Sequence, residues 1–125
     1  MGDTRVRAVR GATTVERDEP LLVRDATREL LECIMARNAF DTDDIISVIF
    51  TVTDDLRSEF PARAARELGW SDVPLLCTME IPVPDALRRC IRVLIHVDAA
   101  CAREAIAHVY LRGARELRPD LASES

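Results

Sequence analysis

The run Ile45 to Thr53, Ile-Ile-Ser-Val-Ile-Phe-Thr-Val-Thr, constrains the fold more than any other stretch. β-Branched residues dominate it, which predicts a strand, and apolar side chains fall on both faces of its two-residue alternation. A strand of that kind is buried on both sides. Cys90 to Val97 has the same character. There Ile91, Val93, Ile95 and Val97 share one face, while Cys90, Arg92, Leu94 and His96 share the other. Only one stretch reads as a long amphipathic helix. It starts at Asp18, the expected N-cap, with Glu19 and Pro20 in the first turn, and runs to about Arg37. Leu22, Ala26, Leu30, Cys33 and Ile34 form its apolar stripe, and Arg24, Asp25, Arg28, Glu29 and Glu32 lie mostly on the other side. One helix cannot cover both faces of a sheet, so the pattern implies that other subunits supply the rest.

The remaining elements are shorter. Residues 1–5 are expected to form a floppy lead, and Arg5 to Arg10 a strand closed by Gly11 and the Thr13-Thr14 pair. Phe60-Pro61 opens a short helix that reaches Leu68 and ends at Gly69. Arg103 to Ala107 is a weak helix, His108 to Leu111 a short extended piece, and Leu117 to Leu121 a turning tail. At 125 residues the chain makes a single domain, spanning 1–125.

Several function classes are excluded by composition. A net charge of -5 argues against nucleic acid as the main partner. All 17 basic residues are Arg, which removes Schiff-base and lysine general-base chemistry. The 4 glycines are scattered, so no phosphate-cradling loop exists. The 4 cysteines (Cys33, Cys77, Cys90 and Cys101) lack Cys-x-x-Cys spacing, and with 2 histidines beside them no zinc site is expected. Reduced thiols are the expectation. No apolar run approaches the roughly 20 residues of a membrane span, and the start carries no signal-peptide core. A cytoplasmic protein with no membrane partner is expected.

What remains is a set of cations and hydrogen-bond donors. Arg92 stands in an apolar strand, where a guanidinium is costly unless an anion meets it. Upstream, Cys77 and Glu80 lie on a segment bracketed by Pro74, Pro82 and Pro84. Arg10, Arg66, Cys77, Glu80, Arg92, Tyr110 and Arg118 are the groups available to a polar pocket. Read without further context, Arg92 and Glu80 describe a structural ion pair better than a catalytic site. Cys90, His96 and His108 read as core or structural residues, and nothing in the sequence joins Cys77 to His108 as a thiol enzyme would require.

An ordered series of motifs then spans nearly the whole chain. It comprises Val9-Arg10-Gly11-Ala12-Thr13-Thr14-Val15-Glu16-Arg17-Asp18, Phe50-Thr51-Val52-Thr53-Asp54-Asp55-Leu56, Phe60-Pro61-Ala62, and Val73-Pro74. Cys77 to Glu80, Cys90-Ile91-Arg92-Val93, His108-Val109-Tyr110-Leu111 and Leu117-Arg118-Pro119-Asp120-Leu121 complete it. In this series the chain resembles the monofunctional chorismate mutases of the AroH class. The resemblance implies an α+β subunit with a mixed β-sheet and flanking helices. It further implies a chorismate-mutase-II-type homotrimeric pseudo-α/β-barrel with active sites at the subunit interfaces. The implied reaction is the Claisen rearrangement of chorismate to prephenate, in aromatic amino-acid biosynthesis, with no cofactor and no metal.

The same resemblance distributes roles. Arg92 would sit on the breaking ether oxygen, with Arg10 and Tyr110 on carboxylate. Glu80 and Cys77 would hydrogen-bond the substrate hydroxyl, Glu80 also orienting Arg92. Phe60 and Leu76 would wall the pocket, while Arg66, Leu117 and Arg118 would bind substrate near a C-terminal lid over 112–125. The chain departs from the family pattern in a start about three residues longer, in Ala107 before His-Val-Tyr, and in a loop over 98–102 without proline. The rival reading is a non-catalytic trimeric sensor that binds a small dicarboxylate in the same Arg-rich interface pocket.

Overall fold

A computed structural model of the chain describes residues 3–121, so the expectations for residues 1–2 and 122–125 lie outside the described residues. Strand β1 spans Arg5–Thr14, helix α1 Pro20–Arg37, β2 Ile45–Val52, α2 Ala62–Glu67, β3 Leu75–Met79, β4 Cys90–Ala99 and β5 Val109–Tyr110. These strands form one 5-stranded sheet in the order β3-β2-β4-β1-β5. The two outer pairings, β2 with β3 and β1 with β5, are parallel; β4 runs antiparallel to both of its neighbours. A mixed sheet with few helices is therefore the observed architecture.

The helices pack on one sheet face. Val23, Leu30, Leu31 and Ile34 of α1 are fully buried, as are Val9, Val48, Phe50, Ile91, Ile95 and Val97. The apolar stripe is rotated slightly from the expected one: Val23, Thr27 and Leu31 are inside, and Leu22 and Cys33 only half so. The buried Thr27 hydroxyl donates to the Val23 carbonyl at 2.7 Å, which makes its burial affordable. Helix α2 ends in a Schellman arrangement. Gly69, at φ 93°, donates to Arg66 O at 3.0 Å, and Trp70 donates to Ala65 O at 3.0 Å.

Two local expectations need correction. Gly11 does not close β1 but lies inside it, where side chains of α1 press against the strand backbone. A Cβ there would stand 2.8 Å from Ile34 Cδ1 and 3.0 Å from Val93 Cγ1. The glycine marks close approach, not a turn. Asp18 does not cap α1. Its carboxylate instead accepts the backbone N–H groups of Arg57 (3.0 Å) and Ser58 (3.1 Å), tying the start of the helix to the β2–α2 loop. Burial pushes the Asp18 carboxyl up, but these bonds and the Ser58 hydroxyl outweigh it, holding the carboxyl below its ordinary value.

The second sheet face is open in the subunit. Val6, Ile46 and Leu76 are exposed there, and Ile49 and Leu94 are half-buried. Arg92 therefore lies on an uncovered surface and not in a dry interior, its side chain 46% exposed. The chain's short weak helix is a single 3-10 turn over Arg103–Ala105. The tail folds as two more, over Arg112–Glu116 and Pro119–Leu121. No helix among the described residues is long and apolar enough to cross a membrane.

Candidate active site

The strand registers line up one row of residues across the open face. Tyr110 on β5 pairs with Ala12 on β1, Ala12 with Arg92 on β4, Arg92 with Thr51 on β2, and Thr51 with Thr78 on β3. Arg10 lies two residues from Ala12 on the same face, opposite Leu94. Ala12 is the small residue of the row and is covered by Cys90, Tyr110 and Ala114, so the open space lies beside it, toward Arg10. Arg10, Ile49, Thr51, Arg92, Leu94 and Tyr110 line a cavity of ≈ 220 Å³.

Glu80 follows β3 and is anchored by its backbone N–H, which donates to Val52 O at 2.8 Å. Its side chain turns back over the row. Glu80 Oε2 accepts a short hydrogen bond from the Thr51 hydroxyl and lies 3.6 Å from Arg92 Nε. The Arg92–Glu80 pair expected from sequence is thus present, with both partners accessible to solvent. Beneath it, Cys90 is 1% exposed and packs with Ala12, Tyr110 and Ala114. Burial pushes the Cys90 thiol up to about 11, although the positive charge of the Arg92 guanidinium pulls the other way. At neutral pH it is a protonated, inert thiol.

One flank of this cluster is formed by the tail. Leu117 packs against the Tyr110 group, and Arg118 forks onto Asp120, with Nη2–Oδ2 at 2.8 Å and Nε–Oδ1 at 3.1 Å. His108 stands behind Arg10: its Nδ1 accepts the Arg10 backbone N–H at 3.0 Å, which places the ring proton of the neutral form on Nε2. Burial, then the charges of Arg10 and Arg118, hold His108 below the ordinary imidazole value.

Cys77, Phe60 and Arg66 are elsewhere. Cys77 pairs with Phe50, so its side chain points to the helix-covered face, opposite to that of Arg92. It packs against the core, and burial pushes its thiol up, with the Ala62 backbone and the Arg66 charge opposing. Phe60 is 66% exposed, and with Cys77, Thr78, Met79 and Pro61 it lines a separate cavity of ≈ 340 Å³ at the β3 edge. Leu76 is on the open face, 60% exposed, beside Ile49. Hence one subunit brings together Arg10, Glu80, Arg92, Tyr110, Leu117 and Arg118. It gathers Phe60, Arg66 and Cys77 into a second group, with Leu76 at the margin.

Sequence reasoning did not single out Thr51, nor Cys90 as the floor under Arg92. The signal for Cys90 was the two-residue alternation, which already put it on the Arg92 face. Thr51 becomes visible only once the β2–β4 register is known. Among the described residues, no group of three or more His, Cys, Asp or Glu side chains is placed to hold a metal ion. The donors available are guanidinium and phenol, suited to carboxylates and to a developing oxyanion.

Comparisons with known proteins agree in direction. Residues 6–121 match the family model described as "Chorismate mutase type I". The matching model is of type I, so the type II label attached to the expected fold is corrected, while the AroH-class resemblance agrees with it. A protein from Thermus thermophilus, "Chorismate mutase AroH", is 50% identical over 119 residues, covering 94% of this chain and 98% of its own. One of the same name from Bacillus subtilis (strain 168) is 43% identical over 117 residues, covering 93% and 92%. A solved structure described as a chorismate mutase from Clostridium thermocellum superposes with a TM-score of 0.86 at 47% identity, covering 87% of this chain and 97% of that one.

Proposed function

The chain belongs to the type I chorismate mutase family and is a chorismate mutase, and from that premise we propose how its residues act. Chorismate rearranges to prephenate in one pericyclic step: the ether C–O bond breaks as a C–C bond forms, and no proton is transferred. The protein must hold a flexible dianion in its reactive conformer and stabilise the charge that gathers on the ether oxygen. The observation that carries the assignment of roles is the open-face row, with Arg92 restrained by Glu80 between Arg10 and Tyr110.

In this reading the Arg92 guanidinium donates to the ether oxygen and an adjacent carboxylate. Arg10 and the Tyr110 hydroxyl bind carboxylate, and Glu80 accepts the substrate hydroxyl while orienting Arg92. Leu117 and Arg118 close the tail side. Positioning of this kind is worth up to about 7–11 kcal/mol. One well-aimed donor at the developing oxyanion is worth about 3–4 kcal/mol.

The second group completes the site from another copy of the chain. Phe60, Arg66, Leu76 and Cys77 belong with substrate in the resemblance, yet Phe60 and Cys77 lie on the wrong side of their own sheet to meet Arg92. A homotrimer resolves this. The β3 edge of one subunit docks on the open face of the next, covering the exposed Leu76 and Ile46 and setting Phe60 and Cys77 against the neighbour's Arg92. The assembly is then a pseudo-α/β-barrel with its sites at the interfaces, and prephenate made there serves aromatic amino-acid biosynthesis. The relatives are named as enzymes, and the non-catalytic sensor has no support beside them.

The test is direct: purified protein is mixed with chorismate, the fall in ultraviolet absorbance is followed, and prephenate is identified by NMR. Saturable conversion is expected, with Arg92→Ala losing at least about two to three decades in kcat. Near-normal turnover in Arg92→Ala would overturn the role given to this residue.

A further inference from the structure

The cavities, thiols and histidines of the chain mostly belong to the site just described or to the face that assembly covers. One polar network does not. It lies where β2 ends and β4 begins, around Asp55, a residue with no contact to the cavity that Arg92 lines. Both Asp55 carboxylate oxygens accept the Arg89 backbone N–H, at 3.1 and 3.0 Å. Oδ1 also accepts the Thr53 hydroxyl at 2.5 Å, and Arg88 Nε stands 3.7 Å from Oδ2. The Thr53 hydroxyl in turn accepts the Cys90 backbone N–H at 3.0 Å, while the Thr53 N–H donates to Cys90 O at 3.1 Å. The Asp55 side chain is 19% exposed, so these bonds are partly shielded from water.

We propose that Asp55 is a positioning residue for Arg92, acting through Thr53, Arg89 and Cys90 to lock the register of β4 against β2. The proposal rests on the reading of Arg92 as the catalytic cation. The physical argument has two steps. Arg89 sits at φ 49°, in the left-handed region that a side chain with a Cβ disfavours. Backbone in that state persists only when its surroundings over-determine it. Here they do: Asp55 holds its N–H, Val15 N–H holds its carbonyl at 3.0 Å, and its own Nε holds Val15 O at 3.2 Å.

The second step is register. The paired ladder between β2 and β4 ends at Val52 and Ile91, and the Thr53–Cys90 bonds add its final rung. Arg92 follows two residues later. Because side chains alternate with period two, a slip of one residue would turn Arg92 from the substrate face into the core. A smaller slackening would leave it on the right face at the wrong height over the ether oxygen, and misplacement of about 1 Å costs rate steeply. Asp55 is thus tied to the reacting geometry without touching it.

The experiment uses the full chain with Asp55→Asn, Thr53→Val, Thr53→Ser and Arg92→Lys, and the double variant Asp55→Asn/Arg92→Lys. Thermal midpoint, oligomeric state, kcat and KM are measured for each. Asp55→Asn should stay folded and assembled. Its kcat should fall about tenfold or more with KM within about threefold, because Arg10 and Tyr110 still bind carboxylate. Thr53→Val should do the same and Thr53→Ser should restore activity. Arg92→Lys should lose proportionally less in the Asp55→Asn background than in the wild type, since both changes spoil one alignment. A folded Asp55→Asn with wild-type kcat, or losses that multiply independently, would overturn the proposal. If Asp55→Asn does not fold, the Thr53 pair reads the same network. Should Arg92→Lys alone retain full kcat, the reading of Arg92 itself fails, separately from the role of Asp55.

Discussion

Thr51 and Arg92 are cross-strand partners that converge on one atom: the Thr51 hydroxyl donates to Glu80 Oε2, and Arg92 Nε lies 3.6 Å from the same oxygen. Glu80 is therefore held from two strands. A guanidinium has five N–H donors, and a single carboxylate oxygen leaves most of them for substrate. The pair is not an isolated salt bridge whose worth is stability. Both partners are accessible, where ion pairs contribute little to folding. In the proposed mechanism its value is orientation.

That arrangement ranks two substitutions. In the proposed mechanism, Glu80→Gln keeps the shape but loses the charge that aims Arg92 and exchanges one of two acceptor oxygens for an NH2 donor. It should lower kcat by about one to two decades. Thr51→Val removes only the second tether and should lower kcat by less than about tenfold, with the thermal midpoint nearly unchanged. Steady-state kinetics on the two variants decide the matter; a larger loss in Thr51→Val than in Glu80→Gln would contradict the hierarchy.

The split between the Arg92 and Cys77 groups predicts complementation between copies. In the proposed homotrimer, Arg92→Ala subunits lack the cation and Phe60→Asp subunits lack the wall, so each variant alone should be nearly inactive. Trimers reassembled from a mixture contain interfaces that join an intact Arg92 face to an intact Phe60 edge. Activity should therefore return on mixing, in proportion to the fraction of such interfaces. Mixtures that stay inactive although subunits have exchanged, followed by mass spectrometry, would place the whole site within one subunit.

How far the sequence reveals this depends on the kind of interaction. Helix α1 and the strands around Val48 and Ile95 were readable because their apolar periodicity is local. The boundaries of β1 were not, because Gly11 inside a strand looks like a turn residue until the Ile34 side chain is seen against it. Asp18 looks like a helix cap for a similar reason: its partners, Arg57 and Ser58, are remote in sequence. The proposed site residues come from family resemblance, which does not reveal their division into two groups. It follows from which face each strand position occupies, and for Cys77 that is fixed by pairing with Phe50.

Gly11 gives a prediction about stability. A methyl group added there meets Ile34, Val93 and Leu30 within 2.8–3.2 Å. The Ile34 and Leu30 contacts are with terminal methyl groups, which can yield, so Gly11→Ala should fold but lose about 1–3 kcal/mol through overpacking. Urea unfolding should show the loss, with the slope unchanged. An unchanged or higher midpoint would mean that the helix shifts off the sheet freely, which a close-packed interior does not allow.

His108 sets a pH dependence. In the fold its pKa lies below the ordinary 6.5, first because it is buried and then because Arg10 and Arg118 repel a proton. The unfolded chain therefore binds that proton more readily. The contribution of His108 to stability is fully present above about pH 6.5 and is lost as pH falls from there through the folded value. His108→Asn keeps a side-chain acceptor for the Arg10 N–H but cannot titrate. Between about pH 7 and 5 the wild-type thermal midpoint should drop further than that of His108→Asn. The chemical step, having no proton to transfer, should keep a nearly flat kcat over the same range in both proteins. Parallel melting curves would show that His108 carries none of the pH response, and a kcat that tracks its titration in the wild type alone would give the ring a part in turnover.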